Sequence, residues 1–101
     1  MMVYNVTIKV DHSIHSAWLT WLKEEHIPEM IATGCFTHAV TLHLFESDDE
    51  EGITYAVQYY VPDKETYERY LSTYAEEMRA RGKQKWGDSF IAFRTVMKVV
   101  H

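Results

Sequence analysis

Hydrophobic and polar residues alternate with a period of two in four segments of the chain, a pattern typical of β-strands. The alternation is clearest in MVYNVTIKV near the start, and it recurs in CFTHAVTLHLF, ITYAVQYYV and SFIAFRTVMKVV. The segment SDDEEG separates the second and third of these strands. Four adjacent acids and a glycine are typical of a solvated hairpin loop, which we therefore predict there.

Two further segments place hydrophobic residues three and four positions apart, as on one face of a helix. They cover residues 14–22 and 67–78. Asp63 follows Pro62 and predicts the N-cap of the second helix. The pair Arg81-Gly82 predicts the end of that helix, so KQKWGD is expected to be a loop.

The resulting order, β-α-β-β-α-β, predicts one α+β domain of the ferredoxin-like type over residues 1–101. Short right-handed crossovers would give a four-stranded antiparallel sheet with two helices on one face. The first and third strands would be central.

Pro28 interrupts the first helical pattern. Its ring would clash with the preceding turn and displace Ile27 from the helical region, which predicts a helix end near Glu25 or His26. A short turn would then begin at Pro28 and close at Gly34 in a left-handed conformation.

His26 lies at this predicted hinge, and two interpretations of it stay open. As a structural residue it would hydrogen-bond at the carboxyl end of the helix. As a functional residue it would transfer a proton or bind a ligand at a pocket between helix and sheet. The candidates to line such a pocket include Trp18, Trp21, Tyr59 and Tyr70, although aromatic residues at this spacing are also typical of a core.

Two helices leave the other face of the sheet uncovered. The residues expected to face the helices are Tyr4, Val6, Ile8, Val40, Leu42, Leu44, Val57 and Tyr59. The opposite set is mixed rather than charged, which predicts a homodimer stacked sheet on sheet. In it, Asn5, Gln58 and Arg94 would form buried hydrogen bonds. A monomer with an exposed face is the alternative, and Arg94 could instead bind an anion or a carboxylate.

Composition narrows the choice of partner. The net charge of -5 and the lack of a Lys/Arg stripe argue against nucleic acid. No apolar run approaches ~20 residues, which argues against a membrane partner, and the N-terminus lacks the features of a signal peptide. With one cysteine, the chain is expected to be cytoplasmic. Aromatic residues, at 14%, favour a second buried interface.

Other candidate chemistry is sparse. His12 and His15 near Asp11 have no third ligand at a useful spacing, so we expect no metal site. Cys35 is either a nucleophile or, as we favour, a packed thiol. The four glycines form no phosphate-binding loop, and we expect no cofactor.

The pattern Trp21, His26, Pro28, Gly34 and Phe36 resembles the dimeric α+β barrel superfamily. That superfamily includes antibiotic-biosynthesis-type monooxygenases, ethyl tert-butyl ether degradation-type proteins, muconolactone isomerases and haem-degrading monooxygenases. The segments YNVTIKVD, HIPEMIATGCF, YAVQYY and FIAFRTVMKVV are similar to a small bacterial family of unknown function within it, of the Bacteroidetes type.

This resemblance implies paired monomers, each with a ligand between sheet and helices, and makes His26 the first residue to test. Asn5 resembles the first-strand asparagine of the haem-degrading members and is a further pocket candidate. The second helix lacks the tryptophan and histidine of those enzymes, which argues against a haem role. Two hypotheses remain: a homodimeric module that binds a small apolar or aromatic molecule or a protein, which we favour, and a cofactor-free oxygenase or isomerase that uses His26.

Overall fold

The computed structural model describes residues 1–45 and 49–101. Its elements are β1 (Met2–Val10), α1 (His15–Trp21), a π-helical turn (Leu22–His26), α2 (Ile27–Ala32), β2 (His38–His43), β3 (Ile53–Val61), α3 (Lys64–Thr73), α4 (Ala75–Trp86) and β4 (Phe90–Lys98). The strands form an antiparallel sheet in the order β2-β3-β1-β4. The predicted sheet, with the first and third strands central, is confirmed. The element order differs from the predicted one because each helical region is divided.

The predicted hairpin loop falls only partly within this description. Residues 47 and 48 of SDDEEG lie outside the described residues, and residues 49–52 are irregular. No helix in the two described ranges is long and apolar enough to cross a membrane.

The hydrophobic core lies between the sheet and the helices, as expected for one covered face. Its most deeply buried side chains are Tyr4, Val10, Trp18, Leu22, Met30, Cys35, Val57, Tyr59, Val61 and Tyr70. Tyr4 is central to an aromatic group, with ring centroids 5.4 Å from Tyr70 and 6.1 Å from Phe36. The Tyr70 contact is tilted and the Phe36 contact is stacked, and aromatic pairs at these separations stabilise the fold beyond the burial of their area.

Strand β2 presents the opposite face from the one predicted. Val40 pairs with Gln58 and Leu42 pairs with Ala56. Because paired residues share a face of the sheet, Val40 and Leu42 lie on the side away from the helices, and Leu44 just beyond the strand is 48% exposed. The prediction that these residues face the helices is wrong, since the alternation restarts where β2 begins, after the irregular segment that buries Phe36.

The side chains of strand β4 also lie on the opposite sides of the sheet from those predicted. Arg94 pairs with Val6, whereas Asn5 pairs with Thr95 and Gln58. Arg94 therefore lies on the helix-covered side, and the prediction that it joins Asn5 and Gln58 on the other face is wrong. We use "uncovered face" for the side of the sheet away from the helices, which carries residues 3, 5, 7 and 9, 38, 40 and 42, 54, 56, 58 and 60, and 91, 93, 95 and 97.

The first helical region continues through Pro28 instead of ending before it. Ile27 keeps helical angles, φ −60° and ψ −46°, and its N–H donates to the carbonyl of Leu22, five residues back. This π turn places Pro28 in the first turn of α2, where its missing N–H breaks no hydrogen bond. The predicted helix end at Glu25 or His26 is wrong for this reason. The left-handed Gly34, with φ 79°, is confirmed.

The second helical region also extends beyond its predicted end. Gly82 is buried inside α4, and a methyl group there would lie 3.7 Å from Trp21 and 3.9 Å from Phe90. These are ordinary van der Waals distances, so Gly82 packs against the two rings within the helix, and α4 continues to Trp86 with Gly87 as its C-cap. The prediction of a loop at KQKWGD is wrong up to Trp86. The N-cap at Asp63 is confirmed, because its side chain accepts from the Thr66 N–H at 2.8 Å.

Candidate functional site

A pocket lies between the helix-covered side of the sheet and the helices. Its cavity volume is about 60 Å³, and the empty space between its walls, with open solvent at the mouth included, is about 550 Å³. Aromatic side chains form much of its wall, among them Trp18, Trp21, Tyr59, Tyr70, Trp86 and Phe90. The cavity has room for a few water molecules, so a larger ligand would extend into the mouth.

His26 is the last residue of the π turn and lines this pocket. In an α-helix, positions four apart drift by about 40° per step around the axis. The wider π turn offsets this drift, so that Trp18, Leu22 and His26 all line the same space. The His26 ring stacks on Trp21 at 4.7 Å between centroids, with 18° between the planes.

Burial lowers the pKa of His26 to about 4 because desolvation disfavours the charged imidazolium. Glu29 opposes this shift, and the positive charges of Arg81 and Arg94 add to it. The imidazole is therefore neutral near pH 7 and brings no charge to the pocket.

Two buried polar atoms in the pocket wall have no hydrogen-bond partner among the described residues: His26 Nδ1 and Trp86 Nε1. Both side chains contact Trp21, the Trp86 ring edge-on at 5.9 Å. A buried polar group left without a partner costs about 1–3 kcal/mol. The indole N–H can only donate, whereas an imidazole nitrogen donates or accepts according to its tautomer. Both atoms are buried in side chains that line the pocket and pack against the same indole ring.

Two arginines supply the positive charge at the pocket. Arg79 donates to the Tyr4 hydroxyl at 3.2 Å, and Arg94 has neither an ion pair nor a hydrogen bond within the described part of the chain. None of the acidic side chains described lines the pocket. Burial raises the pKa of Tyr59 and of Tyr70, so these hydroxyls stay protonated at neutral pH.

The predicted site residues divide between the two sides of the sheet. Trp18, Trp21, His26, Tyr59 and Tyr70 line the pocket together. Asn5, predicted for both sides, lies on the uncovered face, so its assignment to the pocket is wrong. Its amide donates to Thr7 Oγ1 at 3.0 Å, and it pairs with Gln58.

Sequence reasoning missed Trp86 because it ended the second helix at Gly82, and it missed Arg79 because this residue follows Met78 outside the apolar stripe of that helix. A signal for Trp86 was present. Met78, Gly82 and Trp86 are spaced four apart, which continues the apolar stripe of that helix by two turns. Gly82 was taken as a terminator when it is a close-packing position.

The remaining candidates have other partners. His12 Nε2 is 2.6 Å from the Asp49 carbonyl oxygen, and His15 Nε2 is 2.6 Å from the Tyr55 hydroxyl. Within residues 1–45 and 49–101, no three His, Cys, Asp or Glu side chains are placed to hold a metal ion. Cys35 is a buried free thiol whose sulfur lies 3.6 Å from an Arg69 nitrogen.

The chain matches a protein family over residues 1–100, under the description "Domain of unknown function (DUF4286)". It belongs to the DUF4286 family. No curated protein matches the chain. The match confirms the predicted resemblance to a family of unknown function, and solved structures described as dimeric ferredoxin-like proteins share its fold.

Three solved structures illustrate the fold that this DUF4286 protein shares. A dimeric ferredoxin-like protein from an uncultured marine organism has a TM-score of 0.75 at 8% identity, with 99% of this chain and 95% of that chain covered. An ethyl tert-butyl ether degradation family protein from Bacillus halodurans C-125 has a TM-score of 0.71 at 13% identity, with 99% and 100% covered. HapK from Hahella chejuensis has a TM-score of 0.72 at 10% identity, with 99% and 93% covered. At these identities the likeness concerns the fold alone.

Proposed function

We propose that this DUF4286 protein is a cytoplasmic homodimer that binds a small apolar or aromatic molecule in the pocket between sheet and helices. The observation that carries the proposal is the largely apolar pocket wall, in which the side chains of His26 and Trp86 hold buried polar atoms, Nδ1 and Nε1, without partners among the described residues. A ligand with a flat apolar body and polar atoms at one end would stack on the rings and, once these two side chains turn toward it, hydrogen-bond to both. Mostly apolar walls with a few directed polar groups are typical of small-molecule sites.

The homodimer is supported by the uncovered face. Phe93 is 67% exposed there, Ile91 59% and Leu42 45%. The register places Leu42, Ala56, Thr7 and Phe93 in one row across all four strands. A largely apolar row exposed across an entire sheet is typical of a surface that a partner covers.

Asn5 favours a second copy of the chain as that partner. It is 8% exposed at the middle of the uncovered face, and its Oδ1 has no hydrogen-bond partner in the described ranges. Asn5 forms one row of the sheet with Gln58 and Thr95. A two-fold axis near this row would place the same row of the second copy opposite it, and that row can supply a hydrogen-bond donor. Similar structures are described as dimeric ferredoxin-like proteins.

The dimer is tested by sedimentation velocity of the wild type, Phe93→Glu and Leu71→Glu. We expect a wild-type dimer that Phe93→Glu dissociates, because it would bury an unpaired carboxylate in the seam. Leu71, 39% exposed on α3, is the matched control and should leave the dimer intact. A wild type that stays monomeric at high concentration, or a Phe93→Glu variant that stays dimeric, would contradict this assembly.

Ligand binding is tested with a thermal-shift screen of small aromatic molecules against the wild type, Ala92→Leu and Ala80→Leu. Ala92 lines the pocket from β4, so leucine there fills the space a ligand needs. Ala80 is an exposed position on α4, and its variant is the control. We expect hits that stabilise the wild type and Ala80→Leu but not Ala92→Leu. Hits that stabilise all three proteins equally would place binding elsewhere.

A cofactor-free monooxygenase-like or isomerase-like activity with His26 is the second candidate. It is favoured by the neutral imidazole in the pocket wall, which can accept a proton from a bound molecule. A pKa of about 4 makes it a weak base at neutral pH, so binding without reaction is the better supported of the two. Mass spectrometry of each hit after incubation with the wild type and His26→Gln separates them. Conversion by the wild type alone would establish the enzyme.

A further inference from the structure

We propose that the ligand of this pocket carries a carboxylate, which the guanidinium of Arg94 binds. The inference rests on the proposed ligand-binding function and adds the charge of the ligand to it. It also gives a role to an arginine that does not lie in the sheet-to-sheet interface.

Arg94 differs from the other arginines in its contacts. Arg81 is bound by the carboxylates of Glu29 and Glu77, and Arg69 donates to the Gly34 carbonyl at 3.5 Å. Arg79 donates to the Tyr4 hydroxyl. Arg94 alone among these four has no acceptor in the part of the chain that the structure describes.

Arg94 is positioned at the pocket. Its strand partner Val6 and its neighbour Ala92 both line the pocket, and Arg94 lines it with them. Burial dominates the raised pKa of Tyr59, but the charge of Arg94 also acts on that hydroxyl and on His26. Arg94 is also exposed, so its side chain borders both the pocket and the solvent, and a ligand can reach it from the mouth.

The charged residues that line the pocket are complementary to an anion. The chain carries a net charge of -5, yet Arg79 and Arg94 line the pocket and none of the acidic side chains described does so. The charges in the lining are therefore opposite in sign to the net charge of the whole molecule. A cationic ligand would meet two like charges there, whereas an anion gains a charge-assisted hydrogen bond.

The shape of the groups favours a carboxylate on a flat body. A guanidinium is planar, and its parallel N–H groups match the two oxygens of a carboxylate. The indole and phenol rings of the wall present flat apolar surfaces to the rest of the molecule. A planar aromatic acid meets both requirements.

The test uses isothermal titration calorimetry at pH 7.5 with three probes of one shape: 2-naphthoate, 2-naphthamide and 2-naphthylmethylammonium. We expect naphthoate to bind about tenfold to a hundredfold more tightly than naphthamide, since a hydrogen bond between charged partners contributes that much. The naphthylmethylammonium ion should bind most weakly.

The variants assign the effect to one residue. Arg94→Gln should reduce naphthoate affinity to the level of naphthamide while leaving naphthamide unchanged, and Arg94→Lys should give an intermediate value because it keeps the charge but loses the paired N–H groups. Lys98→Gln removes the same charge from β4 at a residue outside the pocket and should bind naphthoate as the wild type does. Thermal unfolding of each variant confirms that it is folded.

The outcomes separate the inference from the function on which it rests. Equal affinity for naphthoate and naphthamide would overturn the carboxylate inference and leave the ligand pocket standing. A preference for naphthoate that survives Arg94→Gln would also overturn it. If none of the three probes binds, both the inference and the proposed pocket function fail for planar aromatic ligands.

Discussion

Acid should destabilise the protein through His26. The unfolded side chain has a pKa of 6.5, and burial lowers the folded value to about 4, a difference of 6.5 − 4 = 2.5. The contribution of the neutral imidazole to the free energy of unfolding is fully present above pH 6.5. It is lost as the pH falls toward 4, because the unfolded chain then binds a proton that the folded chain excludes. At ~1.4 kcal/mol per pKa unit, the loss in the free energy of unfolding is about 3 kcal/mol.

The perturbation that isolates this effect is His26→Phe, which keeps a ring against Trp21 but removes the titrating nitrogen atoms. Urea unfolding is measured for both proteins from pH 7.5 to pH 4 at one protein concentration. Groups that titrate elsewhere act equally on both and cancel in the difference. The wild type should lose about 3 kcal/mol relative to His26→Phe over this range.

The same difference should persist in a His38→Gln background, since His38 lies on the uncovered face, far from the pocket. Parallel curves for the wild type and His26→Phe would refute the reasoning. They would mean that His26 is as well solvated in the folded protein as in the unfolded chain, which contradicts its burial in the pocket wall.

Three further substitutions test the architecture by urea unfolding at neutral pH. Asp63→Ala removes the N-cap that accepts from Thr66 and should cost about 1 kcal/mol; no change would mean that the cap is not formed in solution. Gly34→Ala should cost about 1–2 kcal/mol because φ is 79° there, although nothing lies within 4 Å of the added methyl group; a neutral result would contradict the left-handed helix end. Trp18→Ala should cost about 3–5 kcal/mol because the side chain is 2% exposed, and a loss below about 1 kcal/mol would contradict its burial.

The central strands show what alternation alone can predict. Strands β1 and β3 were assigned to the correct faces because their helix-facing sides are plainly more apolar than their other sides. The edge strands were not. Val40 and Leu42 on β2 look like core residues, and Phe93 on β4 is equally apolar, yet all three lie on the uncovered face. When both faces of a sheet are apolar, periodicity predicts that a strand is present but not which of its two sides packs against the helices.

The candidate site was predicted in part for a related reason. Tryptophans and tyrosines at helical spacing predict the pocket wall whether it encloses a core or a ligand, so Trp21 and Tyr70 were found. Arg94 was found as a residue of interest but on the wrong side, because its position depends on the pairing with Val6. The register of a sheet depends on which residues of separate strands pair with each other. A local pattern in the sequence does not reveal that pairing.

The π turn has a consequence for how the first helix tolerates insertion and deletion. It holds one residue more than an α-helical path between Leu22 and Ile27 would need. Removing that one residue would let the helix close with ordinary four-residue bonds while Met30 keeps its place in the core. Pro28 would then lie inside a continuous α-helix, where its ring clashes with the carbonyl four residues earlier. The spare residue therefore lets the helix continue through Pro28 with its buried face aligned on both sides of the turn.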